Sequence, residues 1–285
     1  MDISSALREM SSRGTFLLLS EKWVAEGHFC GKDKKMPNHI TNRLVIDGEE
    51  TEIRRLLDAV TTKDEEGNTL LIFDKIIPMP KELDISFESN FFKDLSNYLS
   101  AVNPVNTETV EGIEKFSVKE YRDIITTLKS YFTDLNKVGI SGELAFIDKG
   151  SAEKGRQLAH NITNYGAPTW YEWRLQQWNT KWDAYKAEPF ENNTLVFHTA
   201  WSRPEAVINR LAQMYPALSF EHRWADEDFG YNVGTATYKN GEKVETYIPQ
   251  CQTVESCQLA AEILGYSPEW YESLENDESE AEPEP

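Results

Sequence analysis

Cysteine is scarce in this chain: Cys30, Cys251 and Cys257 are the only three among 285 residues. An odd number, with the last two separated by more than two residues, builds neither a disulfide framework nor a C-x-x-C metal knuckle, so buried free thiols are expected. Histidine is nearly as sparse. His28, His39, His160, His198 and His222 stand singly, and no two of them share the helical spacing of a metal pair, so no metal and no cofactor is expected. The sequence also lacks the G-x-x-x-x-G-K-[ST] and G-x-G-x-x-G phosphate loops, an H-E-x-x-H zinc pair and a G-x-S-x-G nucleophile elbow, which removes the common signatures of nucleotide, protease and hydrolase chemistry. Long apolar runs are missing as well. The run Phe16-Leu17-Leu18-Leu19 is far short of the roughly 18 residues of a membrane span, so no membrane partner is expected and the chain is expected to act in the cytoplasm.

Basic residues are absent from one whole region: residues 251–285 carry 10 Asp and Glu and no Lys or Arg. That stretch holds about half of the net charge of -19. Such a field repels phosphates and favours basic partners, although solubility alone also explains an acidic balance.

What is present reads as α+β. The hydrophobic content of 40%, with 12% aromatics, is enough apolar surface to order most of the chain. Residues 1–35 read as an N-terminal extension. Residues 36–83 form a first β-α-β unit: Ile40, Leu44 and Ile46 alternate in a half-buried strand, and Asp47-Gly48 turns the chain. Glu49, Glu50 and Glu52 then open a helix whose apolar face is Ile53, Leu56, Leu57 and Val60, and Thr69–Ile77 returns as strand before Pro78. Residues 84–148 read as a helical insertion.

Residues 149–268 carry aromatic helices and a second unit. Thr194–Phe197 is a strand and Ser202-Arg203-Pro204-Glu205 a helix start with Ser202 as cap, leading to Val207, Ile208 and Leu211. Leu218–Trp224, Phe229–Tyr238 and Val244–Ile248 complete it, with Asn240-Gly241 as a hairpin turn. Residues 269–285, mostly Glu, Asp, Ser and Pro after the last aromatics, read as an acidic disordered tail. Two β-α-β units forming one antiparallel sheet with helices on one face, plus a helical insertion, is the ferredoxin-like plan.

Four patches carry a resemblance to a known family. They are Met36-Pro37-Asn38-His39-Ile40-Thr41-Asn42, then Ile76-Ile77-Pro78-Met79-Pro80, then Trp170-Tyr171-x-Trp173 with Trp178-Asn179-Thr180-Lys181-Trp182-Asp183-Ala184-Tyr185, and Thr199-Ala200-Trp201-Ser202-x-Pro204. Together they resemble the YubB-like family. The resemblance implies an accessory protein of conjugative plasmids and phages with a ferredoxin-like C-terminal domain, and it brings no activity with it. The chain departs from the family pattern in the residues before Met36, in Asn179 where glycine is expected, and in its acidic tail.

Two sets of residues are candidates for a site. Trp170, Trp173, Trp178, Lys181, Trp182, Tyr185, Trp201 and Arg203 combine aromatic rings with cations, a pairing that dominates protein interfaces. The same segment, with Lys149, Lys154, Arg156, Arg174, Lys181 and Lys186 among residues 149–187, also fits a stacking platform for single-stranded nucleic acid. The bland alternative is a helix burying its tryptophans, which recur at spacings of three, five and four residues. The second set is His198, His222 and Asp226, which strands of the second unit would have to bring together for acid-base or metal chemistry. The expected function is a non-catalytic accessory protein that binds, and inhibits, a host protein with a basic surface. A nucleic-acid-binding module and a small enzyme on His198 and His222 are the alternatives.

Overall fold

The computed structural model describes residues 38–85, 90–132 and 147–267. The expectations for residues 1–35 and 269–285 lie outside these residues. In chain order the elements are β1 (His39–Asp47), α1 (Glu50–Val60), β2 (Thr61–Lys63), β3 (Thr69–Leu71), α2 (Phe91–Val102), α3 (Val118–Tyr131), α4 (Lys149–Tyr165), α5 (Trp170–Gln177), β4 (Thr194–Ala200), α6 (Glu205–Met214), β5 (Ser219–Asp226), β6 (Gly234–Lys239), β7 (Glu242–Tyr247) and α7 (Val254–Leu264). No helix among the described residues is long and apolar enough to cross a membrane.

The chain divides into two compact units, one from residues 81–170 and the other from 36–80 with 171–285. In the first, α2, α3 and α4 enclose Phe91, Leu95, Leu99, Leu128 and Ile162. A capping box starts α3, the Ser117 hydroxyl accepting from the Glu120 amide and the Glu120 carboxylate from the Ser117 amide. Asp148 caps α4, accepting from the Ser151 amide at 2.6 Å, and Gly166 ends that helix in the left-handed region at φ 71. Gly155 lets α4 approach α2, because a Cβ at this position would overlap the Asp94 carbonyl. This helical unit runs through α4 to Trp170.

The second unit holds a five-stranded antiparallel sheet in the order β4-β1-β5-β6-β7. Along β1 the side chains alternate, with Ile40, Asn42, Leu44 and Ile46 buried. Register carries that face across the sheet: Asn42 lies opposite Phe197 and Trp224, and Leu44 opposite Leu195 and His222. Helix α6 joins β4 to β5 with β1 between them, a split β-α-β. Strands β5, β6 and β7 follow as a meander, and Asn240-Gly241, at φ 53 and 79, makes the two-residue hairpin turn.

The expected α+β antiparallel sheet is present, with two differences in its make-up. Only Thr69–Leu71 of the Thr69–Ile77 run is strand, and it pairs with β2 in a separate two-stranded ribbon. The chain then tightens into a 3-10 turn at Phe73–Lys75, with the Phe73 amide donating to the Asp183 carboxylate at 2.9 Å. The first β-α-β unit thus gives the main sheet one strand, β1. Nor do the helices all share a face. Arg203 and Glu205, at the start of α6, lie on the His222 and Trp224 side, whereas α7 packs Ala260 and Ile263 against Ala225 on the other and pairs Glu262 with Arg223 at 2.9 Å.

A candidate docking strip on the sheet unit

The outer edge of β4 is covered by the segment that follows α5. The Tyr185 amide donates to the His198 carbonyl at 3.1 Å and receives the His198 amide on its own carbonyl at 2.7 Å, and the Glu188 amide donates to Val196. Residues paired directly across strands project to the same face, so Tyr185 joins His198 and, two strands over, His39. The Tyr185 hydroxyl lies 2.7 Å from His39 Nδ1, and the two imidazoles are 6.2 Å apart between centroids. Burial, reinforced by Glu227, pushes the Tyr185 phenol up to about 12. Burial lowers the His198 pKa, helped by Lys186 and His39 and opposed by Glu227, and His198 Nδ1 has no hydrogen-bond partner.

A second group continues from Trp182, whose ring meets Tyr185 edge-on at 6.2 Å. The Lys181 ammonium sits 4.6 Å from the Trp182 ring centroid, 4.8 Å from Trp201 and 5.9 Å from Tyr171. Tyr171 meets Trp201 edge-on at 6.4 Å, and burial raises its phenol to about 12. These four aromatics, Lys181 and the two histidines form one half-buried strip.

The backbone beneath the strip is strained to hold Trp201. This residue is in the left-handed region at φ 69, which for a bulky side chain costs on the order of 1–3 kcal/mol. Its amide donates to the Asn38 carbonyl at 2.9 Å. Asn179, where the sequence resemblance led to the expectation of glycine, is at φ 62, and asparagine is among the residues that tolerate that region best. Its side chain adds something glycine lacks: Oδ1 accepts the Ala206 amide at 2.9 Å in the first turn of α6. Ser202, expected to cap α6, instead donates its hydroxyl to the Asn179 carbonyl.

Of the candidate docking residues, Lys181, Trp182, Tyr185 and Trp201 lie on the strip. Trp173 and Trp178 do not, being only 6% and 1% exposed. Trp178 is core: its Nε1 donates to the Ile77 carbonyl at 2.9 Å, its ring packs edge-on against Phe73 and Trp173, and the Arg174 guanidinium stacks on it. Arg203 stacks on Trp224 at 4.2 Å and pairs with Glu205 at 2.7 Å. Trp170 is half-buried and ends the helical unit. Trp173 is thus buried from α5 and Trp178 from just past its end, while Lys181, Trp182 and Tyr185 stay half-exposed.

His198, His222 and Asp226 do not form a cluster. His198 pairs with Thr41 and His222 with Leu44, an odd separation along β1, so the two imidazoles project from opposite faces. His222 is fully buried, donates from Nε2 to Asn42 Oδ1 at 3.0 Å, and is held neutral by burial, its pKa lowered to about 3. Asp226 ends β5, accepting from Asn38 Nδ2 at 3.2 Å and from the Asp228 amide at 3.0 Å. Cys251 is exposed and Cys257 half-buried, so neither is the deeply buried thiol expected; Cys30 lies outside the described residues.

Several basic side chains of 149–187 are already engaged: Lys149 with Glu111 at 3.0 Å, Arg156 with Glu153, Arg174 on Trp178 and Lys181 among its three rings. Among the described residues no group of three or more His, Cys, Asp or Glu side chains is placed to hold a metal ion. His39 and Tyr171 belong to the strip, and the Asn38 carbonyl holds the Trp201 amide, without any of the three having been singled out as site residues. Only the pairing of β1 with β4 brings His39 to His198, and no local pattern signals it.

Residues 177–267, which enclose β4 through α7, match the model of a family described as the ferredoxin-like domain in Api92-like protein. No curated protein matches the chain. Among solved structures, the crystal structure of protein api92 from Yersinia pseudotuberculosis is similar at 10% identity and a TM-score of 0.36, over 76% of this chain and 99% of that one. The C-terminal part of this chain is thus similar to a ferredoxin-like domain of Api92-like proteins.

Proposed function

We propose that this protein is a non-catalytic accessory factor of a phage or plasmid, of the YubB-like kind, that binds and thereby inhibits a host protein with a basic surface. On this reading the partner is a defence or nucleic-acid-handling factor. The observation that carries the proposal is the strip itself: Tyr171, Trp182, Tyr185 and Trp201 stay half-exposed in a unit that buries Trp173, Trp178 and Trp224. Aromatic residues of this kind supply most of the energy at protein interfaces. Acidic side chains flank the strip at Glu227 and Asp228, both exposed, and the chain carries a net charge of -19, which favours a basic partner.

Catalysis asks for a concave site that excludes water around convergent groups. Two open surface depressions, one lined by Thr51, Arg54, Arg55, Asp58 and Ala59 and the other by Asp64, Glu65, Glu66, Lys186 and Ala187, contain neither histidine nor any ring of the strip.

The test is affinity capture from host cells with the full chain and with a Trp182→Ala/Trp201→Ala variant, followed by reconstitution from purified components. A partner is expected that binds the wild type and loses about 100-fold or more in affinity with the variant. Equal retention of every captured protein by both chains would sink the proposal.

One observation favours a second reading. The 2.7 Å approach of Tyr185 to His39, beside the unpartnered Nδ1 of His198, is the geometry of a proton relay. If that relay is used, Tyr185→Phe abolishes the biological effect while leaving partner capture intact.

A further inference from the structure

We infer that Tyr171, Trp182 and Trp201 form a cation-recognition cage which the protein's own Lys181 fills in the free state, and which receives a lysine or arginine side chain of the protein partner in its place. The inference rests on the docking proposal for the partner's identity and on the geometry of the cage for its chemistry.

Three rings around one ammonium, at 4.6, 4.8 and 5.9 Å, is the arrangement by which aromatic faces attract a cation through their quadrupoles. Lys181 has no carboxylate and no hydrogen-bond acceptor among the described residues, so the rings alone hold it. Burial disfavours its charged form, so the ammonium gives up hydration to stay there. An occupant held only by faces, on a flexible four-carbon stem, can swing into water when a competing cation arrives. No ion pair has to break.

The strained backbone at Trp201 is independent of these distances. The left-handed residues Asn179 and Trp201 are tied to each other through Ser202, and Trp201 is tied to Asn38. This pinning fixes the indole against Lys181 whether or not the ammonium is present, so the cage persists when vacated. Glu172, which acts electrostatically on Tyr171, adds negative potential at the rim. A cation from a basic partner meets rings, negative potential and a displaceable placeholder; an anionic ligand would meet the potential with the wrong sign.

The test titrates tetramethylammonium chloride, with sodium chloride at matched ionic strength as the blank, into full-length wild type, Lys181→Ala and Lys181→Ala/Trp201→Ala, following the indole N–H resonances. Lys181→Ala is expected to bind the probe about tenfold more tightly than wild type, and the double variant to lose that gain. In the wild type, tetramethylammonium is expected to raise the acetylation rate of the Lys181 amine several-fold, read by peptide mass spectrometry; this arm needs no variant. Equal probe affinity in wild type and Lys181→Ala, a gain that survives loss of Trp201, or an unchanged Lys181 acetylation rate would each overturn the inference. No partner enters these measurements. Probe binding without partner capture rejects the docking proposal and leaves the cage, and capture without probe binding rejects the cage and leaves the docking proposal.

Discussion

His198 on β4 and His222 on β5 stand on the two strands that flank β1 yet project from opposite faces of one sheet, because β1 pairs Thr41 with the first and Leu44 with the second. Their alanine substitutions should therefore be independent. His222→Ala empties a fully buried site and strands Asn42 Oδ1, and it should cost about 2–4 kcal/mol. His198→Ala, at a half-buried position, should cost less than about 1 kcal/mol. The double variant should equal their sum within about 0.5 kcal/mol in urea unfolding. A larger coupling would place the imidazoles in contact.

Acid should destabilise the sheet unit through His222. The folded protein keeps this imidazole neutral down to about 3, while an ordinary histidine takes up its proton near 6.5. Between those values the unfolded chain binds more protons, so stability present at neutral pH falls as pH drops through 6.5. At about pH 5 the loss from this one group is about 2 kcal/mol. His198, lowered by burial, adds to it in the same direction. Urea midpoints compared at neutral and mildly acid pH should show this slope, and His222→Gln should flatten it.

Neighbouring tryptophans should answer differently to removal. Trp178→Ala deletes a core ring and orphans the Ile77 carbonyl, for about 3–5 kcal/mol. Trp182→Ala should change stability by less than about 1 kcal/mol while weakening partner capture. Thermal melts alongside the capture assay separate the two effects.

At Asn179 the backbone and the side chain can be tested apart. Asn179→Gly keeps the left-handed residue comfortable and loses only the bond to the Ala206 amide, so it should cost about 0.5–1 kcal/mol. Asn179→Ala loses that bond and also strains the backbone, so it should cost about 1 kcal/mol more. If alanine proves no worse than glycine, the left-handed geometry at this position is not what holds Trp201.

Gly155→Ala should disrupt the helical unit, since the added methyl meets the Asp94 carbonyl and the Tyr98 Cβ. A cost of about 1–3 kcal/mol is expected from such overpacking, read by chemical denaturation.

How much of this was legible depended on how local the cause was. The Asn240-Gly241 turn, the acidic first turn of α1 and the alternation of β1 are set by neighbours within a few residues, and each stands where the sequence puts it. The strand after Thr69 was overestimated because its β-rich composition competes with Asp183, over a hundred positions away, for the Phe73 amide. The Trp170–Tyr185 run mixes core and surface. Helix α5 carries the buried Trp173, Trp178 is buried just past its end, and the irregular chain beyond leaves Lys181, Trp182 and Tyr185 half-exposed.

The sequence by itself determined the α+β class, most of the elements, the acidity, and the shortage of metal and nucleophile motifs. Each of these is a property of composition or of contacts a few residues apart. Only the tertiary structure decided that β1 sits between β4 and β5, outside the segment matched by the ferredoxin-like family model. That placement separates His198 from His222 and unites it with His39 and Tyr185. The reason is that register along a strand has a period of two residues, so a shift of one in long-range pairing exchanges every side chain between faces, and no local pattern records which pairing wins.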